Sequence, residues 1–306
     1  MFDTLRLPVF AAPMFLVSGP DLVIAACKAG IVGAFPTPNA RTPEQLDDWM
    51  TRIRAAVGDR PWCANLVTHS TNARLADDLA LVAKHRPPVV VTALGSPRPA
   101  VEVVRAYGGR VLADVTTIRL AHKAIQAGAD GLACICAGAG GHTGALNPFA
   151  FVRAVREFHA GPLVVGGGIS DGWGVAGAIA AGADAVYMGT SFLAASESLA
   201  PEAYKDMVTT ATVEDLLVSP AITGTNASWL IPSLVANGLD PAAMPDAPDR
   251  AYDTGQSFKG KRWAQVWSAG QGVGAVKRVE PVATIVDRLA QEYGAARARF
   301  AGGVHG

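Results

Sequence analysis

A parallel (β/α)8 barrel, the TIM-barrel class of α/β fold, is what this sequence predicts, and three observations predict it. Between Pro8 and Ser191, eight short β-rich runs alternate with longer amphipathic segments. The runs are near-continuously apolar rather than alternating, as expected of strands covered on both faces. Two helix ends, QAGADGLAC and AAGADAVYM, repeat the same Ala-Gly-Ala-Asp turn into a strand. A doubly wound sheet is built from the same units but rarely needs eight of them so evenly spaced. The repeated turn is ordinary helix-stop chemistry, so it bears on fold and not on activity.

The elements follow in order. PVFAA from Pro8, IVGAF from Ile31, WCANLV from Trp62 and VVVTA from Val89 supply the first four strands. RVLADV from Arg110, GLACI from Gly131, PLVVG from Pro162 and AVYMG from Ala185 supply the rest. PEQLDDWMTRIRAAV and NARLADDLALVAKH are helices between them, with apolar residues at helical spacing. From about Pro201 the rhythm breaks. Residues 201–274 carry TVEDLLVSPAITGTNASWLIPSLVANGLDP and the proline-rich PAAMPDAPDR, rich in Leu, Ile, Trp and Met. This segment is expected to be a helical, substrate-binding lid inserted after the eighth strand, over the C-terminal mouth where the loops of such barrels carry chemistry. Residues 1–200 and 275–306 form the barrel, which closes on the amphipathic helix VEPVATIVDRLAQEYGAARARF.

Composition narrows the function classes. The 306 residues are 50% hydrophobic, and 26 Lys+Arg balance 26 Asp+Glu. With no net field, neither nucleic acid nor an anionic membrane is an expected partner. Cys27, Cys63, Cys134 and Cys136 sit among apolar neighbours without CxxC spacing, so they read as reduced core residues and no metal is expected. The N-terminus lacks the pattern of a signal peptide, and no run of about 18 uncharged apolar residues occurs. A soluble, cytoplasmic protein, monomer or homodimer, is expected.

The last two strands run into glycine. Val165 leads to Gly166-Gly167-Gly168-Ile169-Ser170-Asp171-Gly172, with a helix beginning near Trp173, and the eighth strand gives Tyr187-Met188-Gly189-Thr190-Ser191. Loops in these places, opening onto helix N-termini, form the usual phosphate site of such barrels. Glycines alone can serve only tight turns, but two clusters in adjacent loops favour phosphate binding, with Thr190 or Ser191 adding a hydroxyl donor. A third cluster, CICAGAGGHTGALNP from Cys134, places His142 where its neighbours have almost no side chains.

These residues bring a family with them. The chain resembles the nitronate monooxygenases, formerly called 2-nitropropane dioxygenases, which are FMN-dependent TIM-barrel enzymes. The resemblance spans nearly the whole length. It rests on AAPM (Ala11 to Met14), AN (Ala64, Asn65), AGGHTG, GGGISDG, YMGT, ITGTNA (Ile222 to Ala227) and WSAGQGVG (Trp267 to Gly274). It implies that Met14, with the backbone of Ala12 and Pro13, lies against the isoalloxazine ring and that Asn65 hydrogen-bonds it. Gly140 and Gly141 line the face of the ring. Gly167, Gly168, Tyr187, Met188, Gly189 and Thr190 hold the cofactor's phosphate end, and Gln271 returns to the same mouth. Outside the resemblance, Asn65 also fits a polar strand-end cap and Met14 a core residue.

His142 follows the sixth strand at the mouth, and the resemblance implies that it faces flavin and substrate. The alternative is a histidine that braces its loop. An imidazole, ordinarily titrating near 6.5, can accept a proton at neutral pH. It suits removal of the acidic C–H beside a nitro group, with O2 as the final oxidant and a carbonyl compound and nitrite as products. His142 then serves as base for a nitroalkane or as anchor for a nitronate. The other histidines, His69, His85, His122, His159 and His305, have polar neighbours and read as solvated. Many relatives carry Gln where Ala11 stands and an acidic residue at Gly138, some a lysine at Asp114, and often an arginine at Ser228. Those departures leave the native substrate open. The alternatives are a flavin-dependent enoyl-acyl carrier protein reductase, an NAD(P)H:quinone reductase, or a flavin-binding protein without turnover.

Overall fold

The computed structural model describes residues 2–246 and 263–302. His305 and the part of the insertion numbered 247–262 lie outside the described residues. The chain opens with β1 (Val9–Ala11), α1 (Pro20–Lys28), β2 (Val32–Pro36), a 3-10 turn at Thr37–Asn39, and α2 (Pro43–Val57). β3 (Trp62–Val67), α3 (Leu75–His85), β4 (Val89–Ala93), α4 (Arg98–Arg105), β5 (Arg110–Val115) and α5 (Ile118–Gln126) continue the alternation. Then come β6 (Gly131–Ile135), a two-residue strand β7 (Gly141–His142), α6 (Pro148–Arg156), β8 (Leu163–Gly166), α7 (Gly172–Ala181) and β9 (Ala185–Met188). The strands β1-β2-β3-β4-β5-β6-β8-β9 close into a parallel barrel, so the predicted seventh and eighth strands are β8 and β9.

Local chemistry sets these boundaries. Thr42, Thr117 and Asn147 cap α2, α5 and α6 by accepting hydrogen bonds from first-turn amides. The two Ala-Gly-Ala-Asp turns do the same work twice. Asp130 accepts the Val111 amide at 2.9 Å and the Arg105 guanidinium at 2.9 Å. Asp184 accepts the Leu163 amide at 2.8 Å and Arg156 at 2.7 Å. Each aspartate thereby ties its turn to the preceding strand and to the helix before that strand, which is why the sequence repeats there.

Alternate strand residues point inward. Phe10, Val32, Ala34, Cys63, Val89, Val91, Leu112, Ala133, Val164, Ala185 and Tyr187 fill the barrel. Phe2 and Leu5 pack against this interior, with Phe2 edge-on to Phe10, and close the N-terminal end. The same alternation places Ala12, Asn65, Asp114, Ile135, Gly166 and Tyr187 at the uppermost inward positions, facing the C-terminal mouth. All four cysteines are buried and unpaired. Among the described residues no helix is long and apolar enough to cross a membrane.

After β9 the chain forms α8 (Thr190–Leu193) and α9 (Glu202–Thr210), then β10 (Leu216–Ser219), β11 (Ala227–Leu230) and α10 (Ile231–Ala236). The segment expected to be helical is therefore mixed. β10 and β11 are an antiparallel hairpin, and β11 pairs with β7, setting Ala227 opposite His142 and Ser228 opposite Gly141. Leu-Leu-Val and Trp-Leu runs that read as helix-compatible become strands because a partner edge arrives from far earlier in the chain. The barrel closes with α11 (Val282–Ala301).

Candidate active site

Four loops meet at the mouth. After β1, the Ala12 amide donates to the Met188 carbonyl at 3.0 Å, so the first loop rests on the last strand. Met14 and Ala12 both lie beside Gly189: a methyl group placed on that glycine would sit 3.5 Å from the Met14 sulfur. After β6, the Gly138 carbonyl accepts the Gly168 amide at 3.1 Å and the Gln271 amide at 2.9 Å. The Thr190 hydroxyl accepts the Gly270 amide at 2.9 Å. The structure thus brings Gly140, Gly168, Thr190 and Gln271 into one cluster, and Met14 to Gly189 beside it. Gly167 and Gly168 have φ of 145° and 69°, a backbone shape that only glycine adopts without strain.

The helix after β8 is not free to bind an anion as its sequence suggests. Asp171 accepts the Gly174 amide at 2.7 Å, and Glu292 from α11 accepts the Gly172 amide at 2.8 Å. Carboxylates already cap α7, whereas α8 has no side-chain cap.

His142 belongs to the roof of this site and not to its floor. Its strand β7 is stitched to β11, the Thr143 amide donates to the Asn226 carbonyl at 3.0 Å, and its ring stands edge-on to Trp263 at 5.3 Å. Burial holds its imidazole below the usual histidine range. It is neutral at pH 7 and able to accept a proton. Asn65 sits inside the barrel with Nδ2 donating to the Val91 carbonyl at 3.3 Å, and Tyr187 is buried beneath the mouth. Of the remaining histidines, His85 departs from the solvated reading. It is buried, with Nε2 2.5 Å from Asp47 Oδ1. That partner lies on α2, where no local pattern announces it.

Asn39 is the residue the sequence did not disclose. Its side chain is buried, donates to the carbonyls of Met14 (2.9 Å) and Ser18 (2.8 Å), and accepts the Leu16 amide at 2.8 Å. Leu16 has φ of 65°, a left-handed conformation that costs a non-glycine residue about 1–2 kcal/mol. Asn39 holds that strained loop, and with it Met14, against the mouth. Its signal was a lone asparagine between proline and alanine after the second strand, which reads equally well as a turn. Asn39→Ala is expected to lower stability by about 2–3 kcal/mol, three hydrogen bonds at about 1 kcal/mol each, as measured by urea denaturation.

Comparison with known proteins agrees with this geometry. Residues 69–292 match the profile of the nitronate monooxygenase family. The nitronate monooxygenase of Paraburkholderia phytofirmans is 29% identical, over 93% of this chain and 92% of its own. The crystal structure of nitroalkane oxidase from Streptomyces ansochromogenes superposes with a TM-score of 0.85 at 27% identity, covering 97% of this chain and 99% of that one. FabK from Thermotoga maritima, at 24% identity and a TM-score of 0.80 over 98% and 97% of the two chains, shares the fold. The chain is an oxidoreductase that belongs to the nitronate monooxygenase family.

Proposed function

We propose that this enzyme oxidises alkyl nitronates and nitroalkanes with O2, using FMN, to a carbonyl compound and nitrite. The observation that carries the proposal is the arrangement of the mouth. Half-buried His142, neutral at pH 7, hangs from the roof above a rim of glycine backbone and a floor that includes Asn65, Asp114 and Tyr187. The fit of a flavin mononucleotide rests on this chain's own features. A methyl on Gly167 would meet the Ala137 carbonyl at 2.6 Å, whereas one on Gly168 would find only the Gln271 side chain, at 4.0 Å, so the chain packs tightly behind this turn and leaves space in front of Gly168. The Tyr187 hydroxyl and Asp114 Oδ1 lack hydrogen-bond partners beneath the mouth, as expected of groups that await a polar ring.

Gly167, Gly168, Gly189 and Thr190 hold the phosphate in this reading. Ala12, Pro13, Met14, Asn65, Gly140, Gly141, Tyr187 and Met188 surround the ring, with Gln271 at the rim. Bound FMN would supply the redox chemistry. The protein contributes orientation and one proton transfer: an imidazole nitrogen of His142 takes the proton from the carbon bearing the nitro group, leaving the nitronate anion. With a substrate supplied as nitronate, His142 serves instead as its anchor. The insertion, joined to His142 through β11, covers the mouth as a lid and keeps water from the anion.

The test is direct. The purified protein should be yellow, or become so with added FMN, and anaerobic propionate 3-nitronate should bleach it. Bleaching by NADH alone would transfer the enzyme to the reductase alternatives, and failure to bind FMN would remove the mechanism.

A further inference from the structure

The proposed reaction makes no use of a carboxyl group, yet the barrel holds one. Asp114 lies on β5 one inward position above Leu112, and Tyr187 lies on β9 one inward position above Ala185. Asp114 Oδ1 and the Tyr187 hydroxyl are both sealed from solvent without a hydrogen-bond partner. Leaving such groups bare is unfavourable, and a leucine or valine would close this layer without that penalty. Asp114 as a whole nevertheless keeps intermediate accessibility, unlike Leu112 and Ala113 below it. Asp114 therefore stands in the uppermost inward layer of the barrel, at its mouth end, without being fully closed off.

We propose that Asp114 is a positioning residue for the flavin, hydrogen-bonding the polar half of the isoalloxazine from the barrel side and setting the relative affinity for oxidised and reduced FMN. This rests on the FMN reading above. Burial pushes the Asp114 carboxyl up to about 7, and no cationic side chain among the described residues offsets that burial. The titratable groups that share its field are Cys63 on β3, Cys134 on β6 and Tyr187 on β9, all raised by burial and neutral between pH 6 and 8. The sign follows. Below about pH 7 the neutral acid can donate to the ring. Above it the carboxylate's charge opposes the added electrons, so reduced FMN is held less tightly.

The experiment is a redox titration of the FMN-loaded protein from pH 5.5 to 8.5, in a His142→Gln background so that this imidazole does not titrate. Relative to Asp114→Asn, the carboxylate-bearing protein should lose at least about tenfold in its preference for reduced FMN across neutrality. That is about 30 mV for a two-electron couple. Parallel curves would overturn the proposal. Should Asp114→Asn fail to fold, the visible spectrum of the oxidised carboxylate-bearing protein should shift with a midpoint between about pH 6 and 8. A spectrum constant over that range would equally overturn it. Absence of FMN binding would instead count against the function proposed above, so the two failures are distinct.

Discussion

His142→Gln is expected to lower kcat/KM for a neutral nitroalkane by roughly 10²- to 10⁴-fold, the usual worth of a positioned general base. The same variant should lose only about tenfold with the preformed nitronate, which needs no deprotonation and forfeits one hydrogen bond to a charged group. The contrast separates base from anchor, because an anchor would lose equally with both substrates. The pH profile gives an independent reading. Burial lowers the pKa of His142, so the imidazole is deprotonated at neutrality and its activity disappears as pH falls through a value below 6.5. The nitroalkane profile should show that acid limb in the wild type and lose it in His142→Gln. A limb centred above 6.5 would mean that another group accepts the proton.

The barrel was legible because its determinants are local. Strands covered on both faces must be apolar throughout, helix caps lie within three residues of what they cap, and the Asp130 and Asp184 turns repeat in sequence what they repeat in space. The eight predicted strands accordingly fall within a residue or so of β1 to β6, β8 and β9. The glycine runs and His142 were legible for the same reason, since each loop follows directly on its strand. What could not be read depends on partners distant in the chain. β11 is a strand because Gly141–His142 offers it an edge, and β10 pairs with its other side. His85 is buried because Asp47 meets it, and α7 is capped in part by Glu292, 120 residues away. Asn39 acts on a loop 21 to 25 residues earlier. In each case composition leaves the residue ambiguous and packing decides.

The strongest structural dependence of the site is on the segment that returns from the insertion, and Gly270→Ala tests it. Gly270 has φ of −89°, so alanine suffers no backbone penalty there and the effect must come from space. Its methyl group would stand 2.7 Å from the Gly138 carbonyl oxygen, 3.0 Å from the Gly140 nitrogen and 3.3 Å from the Thr190 hydroxyl. The first two are backbone atoms and cannot swing aside. Relief requires the segment to lift, which breaks the bonds from Gly270 to Thr190 and from Gln271 to Gly138. Overpacking of this kind typically costs about 1–3 kcal/mol and each hydrogen bond about 1 kcal/mol. A loss of about 3 kcal/mol from the assembled site corresponds to roughly 10²-fold weaker FMN binding, measurable by the quenching of flavin fluorescence. The ladder of the barrel is remote from the change, so the far-ultraviolet circular dichroism should remain that of the wild type. Gly274 lies in the same segment with nothing within 4 Å of its would-be methyl, and Gly274→Ala should bind FMN as the wild type does. Equal affinity in the two variants would show that the returning segment does not bear on the cofactor site, and that the Gly138 carbonyl joins these loops for stability alone.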